Sequence, residues 1–154
     1  MLMPRKELLI DNDLFFADLL RLLNDGACVT MRARGRSMFP FIVEGRDRVV
    51  LCRCGQVEVG DIVLARLPEL GFVLHRVYGM DGDRILLMGD GNLCATELCR
   101  RDEVLARVVR ILRNGRSISC DSRAERWRAA LWRRLRPLRR GLLVLCRQMM
   151  RIGI

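Results

Sequence analysis

A serine hydroxyl becomes a useful nucleophile at neutral pH only with a base beside it, and this chain has few bases to offer. Its 154 residues contain one histidine, His75, and one lysine, Lys6. The serine in the most unusual setting is Ser37, inside "GRSMFP" at residues 35–40, an island of turn-formers after an apolar strand pattern. Lys6 lies in an N-terminal stretch expected to fray. His75 lies in "FVLHRVYG", 38 residues after Ser37. Strand alternation puts Phe72, Leu74 and Arg76 on one face and Val73, His75 and Val77 on the other. A histidine between two valines also fits a packed, hydrogen-bonded core residue, and a serine in a turn also fits a plain turn serine.

Thiols are the other reactive groups. The seven cysteines are Cys28, Cys52, Cys54, Cys94, Cys99, Cys120 and Cys146. The N-terminal "ELLI" is too short for an export segment, so free, mostly buried thiols in a reducing cytoplasm are expected. Cys52-Arg53-Cys54 is CxC, not the CxxC of a metal clip, and no histidine stands near it. No metal and no cofactor are expected.

The elements that would position these groups fall into three segments. Residues 1–27 form an N-terminal helical segment. Asp11-Asn12-Asp13 starts a helix, Leu14, Phe15, Leu19, Leu22 and Leu23 follow at helical spacing, and Asp25-Gly26 stops it. Residues 28–122 form a mainly β domain of short strands: "CVTMRAR", "DRVVLCR", "VEVGDIVLARL" with a break at Gly60-Asp61, "GFVLHRVYG", "RILLMG" after an Asp81-Gly82 turn, and "EVLARVVRILR" before Asn114-Gly115. Residues 123–154 form an amphipathic helical tail. Trp127, Leu131, Leu135, Leu138, Leu142, Leu145, Met149 and Ile152 make one apolar stripe, and Pro137 predicts a kink.

Charge divides the same way. Residues 1–122 carry 18 basic and 17 acidic side chains, whereas residues 123–154 carry ten arginines against Glu125 alone. Such a tail fits a helix lying on an anionic membrane surface through Trp127, Leu131, Trp132, Leu135, Leu138, Leu142 and Leu145. It also fits a helix folded back on the β domain with a solvated arginine face. No nucleic-acid recognition fold is readable, so nucleic acid is not expected as a partner. No run of 18 apolar residues exists to span a bilayer.

The ordered boxes carry a resemblance. "GRSMFP" resembles the G-x-S-M-x-P box of type I signal peptidases and their relatives with the LexA-like peptidase fold. "EGRDRVV", "VEVGDIVLARL", "VLHRVYG" and "LLMGDGN" follow in the family's order over about residues 32–112. "VLHRVYG" is similar to the strand of the His-type branch (endoplasmic-reticulum, archaeal and SipW-like).

The resemblance implies a LexA/signal-peptidase-like β fold with Ser37 as nucleophile, His75 as general base and Asp90 of "GDGN" as the acid that orients the histidine. It implies an oxyanion donor in the Ser37 backbone N–H, worth about 3 kcal/mol in comparable sites, with Met38 lining the groove and Pro40 fixing the turn. Relatives that add a hydroxyl two residues before the nucleophile have no counterpart here, where Gly35 stands. Three departures follow. Thr96 occupies the place of the branch's second aspartate, with Glu97 beside it as a possible auxiliary acid. Arg46 is inserted in "GRD". With 36 residues before Ser37, neither an anchor plus strands nor the DNA-binding domain of LexA-type repressors is expected.

The expected activity is therefore that of a cytoplasmic, peripheral serine endopeptidase cutting a peptide or leader sequence at or near the cytosolic membrane face. The alternative is a non-catalytic peptide-binding or membrane-surface module that kept the fold.

Overall fold

The computed structural model describes residues 12–53 and 55–153; Lys6 and Cys54 lie outside the described residues. Helix α1 (Asn12–Asn24) ends where the spacing predicts, at Asp25-Gly26, with Gly26 at φ +82°. Its Leu19 and Leu23 are buried, and Phe16 stacks on Phe72 with ring centroids 3.5 Å apart.

Eight strands follow: β1 (Val29–Arg32), β2 (Asp47–Cys52), β3 (Ile62–Leu67), β4 (Gly71–Asp81), β5 (Arg84–Met88), β6 (Glu97–Arg100), β7 (Val104–Arg113) and β8 (Arg116–Ser119). They form one antiparallel sheet in the order β1-β2-β7-β3-β4-β5-β6, with β8 on β7. The molecule is mainly β, as expected. The Asn114-Gly115 turn, with both residues at positive φ, closes the β7–β8 hairpin.

Residues 57–59 depart from the expectation. They join no strand; Glu58–Asp61 turn instead, with the Asp61 N–H on Glu58 O at 3.1 Å, the Glu58 N–H on the Asp61 carboxylate at 2.8 Å and Gly60 at φ +99°.

The sheet has two apolar cores. The first gathers Leu19 and Leu23 of α1 with Met38, Ile42, Val49, Leu51, Leu64 and Val108; the second holds Val63, Ala65, Val77, Ile85, Leu87 and Cys99. Alternation along β4 feeds both, since Phe72 and Leu74 pack on the first and Val73 and Val77 belong with the second.

A disulfide joins Cys28 to Cys52 across β1 and β2, with Cα atoms 4.5 Å apart. The expectation of free thiols throughout is corrected at this pair, because the register Val29↔Leu51 places the two cysteines side by side. Burial pushes the Cys99 and Cys120 thiols up to about 11.

The tail forms α2 (Arg123–Arg134), a 3-10 turn over Arg136–Leu138 that contains Pro137, and α3 (Arg139–Ile152). Ser122 caps α2 by accepting from the Glu125 N–H. Arg126 then ties α2 to the β domain, donating to Asp61 at 2.6 Å and to Glu58 at 2.5 Å. No helix among the described residues is long and apolar enough to cross a membrane.

Candidate active site

Ser37 is half-buried on a loop of tight turns between β1 and β2. The loop's own bonds shape it: the Phe39 N–H donates to Arg36 O at 3.1 Å, and the Ile42 N–H donates to Met38 O at 2.9 Å. Met38 and Ile42 are buried in the first core and pin the loop from below. The Phe39–Pro40 peptide is cis. Met38, expected to line the groove, borders the small cavity beside Ser37, and most of its side chain serves the core.

The segment after β5 braces the loop from the other side. The Gly91 N–H donates to Ser37 O at 2.8 Å. A Cβ on Gly89 would come within 2.4 Å of Ser37 O, and one on Gly91 within 2.6 Å of Arg36 O. Both glycines of "GDGN" are therefore required by close backbone approach, which fixes the carbonyl side of the Ser37 peptide.

His75 sits in the middle of β4, opposite Val63 of β3, and is 7% exposed. It shares a cavity of about 160 Å³ with Ser37; Ala33, Met38, Phe72 and Leu74 complete the wall. The His75 Nδ1 lies 2.8 Å from Glu97 Oε2. With that nitrogen donating to the carboxylate, Nε2 is left to accept a proton.

Asp90 does not reach His75, and this corrects the expectation that it orients the histidine. It is fully buried and clasped by Arg76, whose Nε donates to Oδ1 at 2.8 Å and whose Nη2 donates to Oδ2 at 2.6 Å. The Arg76 Nη1 bonds Gly60 O at 2.8 Å. The carboxylate on His75 is that of Glu97, named from sequence only as an auxiliary acid.

Register explains the exchange. Near the turn, Asp81 pairs with Arg84 and Gly79 with Leu86. Continued unbroken, this register would set Asp90 directly opposite His75. Tyr78 instead forms a β-bulge, so Val77 pairs with Leu87 and Arg76 with Met88. The one-residue slip moves Asp90 to the face of Arg76. On the other face, Val77, Leu87 and Glu97 lie in one cross-strand row, which carries Glu97 to His75. Gly79, which interrupts the strand beside Tyr78, is the sequence signal that could have announced this break in pairing.

The inserted Arg46 has a local role. It donates to the buried Asp47 carboxylate, which also takes bonds from Arg113 and from the Val43 N–H at 2.8 Å. Burial pushes the Asp47 carboxyl up, yet these donors outweigh it and hold the group below its ordinary value.

The expected membrane stripe is split by the break at Pro137. Trp132 is removed from it: the ring is buried, packs edge-on against Phe41 at 5.8 Å, and donates its indole N–H to Asp90 O at 3.0 Å. Leu135 and Leu142 are half-buried. Trp127, Leu131, Leu138 and Leu145 remain exposed, joined on α3 by Met149 and Ile152.

Comparison with curated proteins finds no match. Residues 7–109, more than half of the chain, match the model of a family described as Peptidase S24-like. That span takes in the serine loop, the histidine strand and Glu97 alike, within a mainly β fold of the expected kind; the chain belongs to the Peptidase S24-like family.

Proposed function

We propose that the chain is a serine endopeptidase of Ser–His–Glu type, acting on an extended peptide or leader sequence. The observation that carries this reading is the shared cavity: Ser37 and His75 form its walls, and Glu97 holds the far nitrogen of the imidazole at 2.8 Å. In the reaction, Ser37 Oγ attacks the carbonyl carbon of the scissile bond while His75 Nε2 takes the hydroxyl proton. Glu97 keeps the imidazole in the required tautomer and offsets the charge of the imidazolium. His75 then gives the proton to the leaving amine, and water hydrolyses the resulting ester by the same route. The Ser37 backbone N–H is the oxyanion donor.

The substrate would be met at or near the cytosolic membrane face. Support comes from α3, where exposed Leu145, Met149 and Ile152 lie on one side and Arg140, Arg147 and Arg151 on the other.

The test is a diverse peptide library incubated with wild type and with Ser37→Ala, cleavage being read by mass spectrometry. Cleavage by wild type alone is expected. No cleavage by either protein, or equal cleavage by both, would favour the binding-module alternative.

A further inference from the structure

The C-terminal helices lie outside residues 7–109, the part of the chain that matches the family model. They nevertheless reach the serine loop. Trp132 touches the loop once and its brace once: its ring packs against Phe41 of the loop, and its indole N–H bonds the backbone carbonyl of Asp90 in the bracing segment at 3.0 Å. Arg139, the first residue of α3, is fully buried. Its Nη1 donates to Asn92 O at 3.1 Å, and its Nη2 donates to Trp132 O at 3.2 Å and to the Tyr78 hydroxyl. Its guanidinium also lies over the Trp132 ring at 5.3 Å. The carbonyls of Asp90 and Asn92 thus both accept from the tail, and the residue between them, Gly91, donates to Ser37 O at 2.8 Å.

We infer that Trp132 and Arg139 are positioning residues of the catalytic serine, holding the Ser37 loop in register through the backbone of residues 89–92. The inference rests on the serine-peptidase reading for its consequence on rate, and on geometry alone for its consequence on the loop.

A purely cohesive role for the tail does not account for Arg139. A buried guanidinium is costly, and apolar residues of similar volume generally serve stability as well or better. Among the described residues it forms no ion pair within 4.0 Å. Two donors of Arg139 instead go to backbone carbonyls, one on the bracing segment and one on Trp132, and this arrangement fixes position rather than charge. Trp132 likewise directs its one polar atom to the bracing segment. Met38 and Ile42 anchor the loop in the core and Arg113 Nη2 donates to Phe41 O at 2.8 Å, but the Ser37 carbonyl itself takes its backbone bond from Gly91. Any freedom in residues 89–92 passes directly to the nucleophile.

The experiment is hydrogen–deuterium exchange on the full chain, comparing wild type with Trp132→Phe and Arg139→Met. Phenylalanine keeps a ring against Phe41 and removes the indole donor; methionine keeps much of the arginine's volume and removes its bonds. Exchange at the Phe39, Ile42, Gly91 and Asn92 amides is expected to quicken about tenfold in each variant, the equivalent of one net hydrogen bond. The amides of Val63, Val77 and Leu87 should keep their wild-type rates. On a peptide cleaved by wild type, kcat should fall while KM holds. Unchanged exchange at the loop overturns the inference, as does a uniform gain across the sheet, which would mark a merely structural role. The exchange result decides the matter even if wild type cleaves nothing, so failure of the peptidase reading is told apart from failure of this one.

Discussion

Replacing the two carboxylates near β4 separately should produce opposite phenotypes. Asp90 is fully buried and Arg76 is 4% exposed; Arg76 Nε sits 2.8 Å from Oδ1 and 3.0 Å from Oδ2 of the carboxylate, and Nη2 sits 2.6 Å from Oδ2. Asp90→Asn leaves the guanidinium buried with half a partner, a loss of about 3–5 kcal/mol. For a chain of 154 residues, each kcal/mol lowers the melting temperature by about 2–4 °C. Thermal unfolding of Asp90→Asn should therefore fall by about 10 °C, while the surviving folded protein keeps its His75–Glu97 pair.

Glu97→Gln stands in contrast. The side chain is 14% exposed and its bond is to an imidazole rather than a fixed cation, and an amide still offers an acceptor there, so the melting temperature should move by no more than about 3 °C, the cost of about one net hydrogen bond. The rate of peptide cleavage should drop about 10²–10⁴-fold, because a glutamine can no longer select the tautomer or offset the imidazolium. Calorimetry and a cleavage assay run at a temperature where all three proteins are folded measure both effects. If Asp90→Asn melts normally but cleaves nothing, or Glu97→Gln cleaves at the wild-type rate, the assignment of Glu97 is refuted.

Three further outcomes follow from the same geometry. Gly89→Ala puts a methyl 2.4 Å from Ser37 O; relieving that clash moves the loop by about 1 Å and should cost about 10²-fold in kcat, so an unchanged rate would contradict the bracing role. Asp47→Asn tests pH dependence: because the folded carboxyl lies below its ordinary value, its contribution is present at neutral pH and is lost as pH falls through the folded pKa. The gap between wild type and variant in urea denaturation should then narrow as the pH falls below about 4, whereas a constant gap would refute it. Flotation with anionic liposomes at low salt should carry wild type upward and leave Leu145→Glu/Met149→Glu behind, whereas wild type remaining in the soluble fraction would remove the membrane surface from the account.

Much of the fold was legible because local signals agreed with it. The α1 stop at Gly26, the alternation of β4, the Asp81-Gly82 hairpin and the break at Pro137 all appear where residue types demand them. Ser37 and His75 were legible as candidates through scarcity and box order, and the structure brings them to one cavity. Glu97 was harder. Its strand is four residues long and only Cys99 in it is buried, so it carries no periodic signature. The bulge at Tyr78 that sends Asp90 to Arg76 depends on pairing between strands, and its one local trace, Gly79 inside β4, does not say which way the register slips. Trp132 misled for a similar reason: it was grouped with the membrane-facing residues of the tail, whereas its indole N–H finds a carbonyl 42 residues away in sequence. Gly60 and the Asp61 side chain, read as an interruption, leave the residues before them outside any strand, while the part after the break forms β3.

The central claim is that His75 activates Ser37. It is tested most directly by the rate at which an alkyl fluorophosphonate modifies the protein, followed by intact mass and peptide mapping, in wild type and His75→Ala. One adduct is expected, on Ser37, formed at least about 10²-fold more slowly without the imidazole. Equal rates in the two proteins, or an adduct mapped to a different serine, would contradict it.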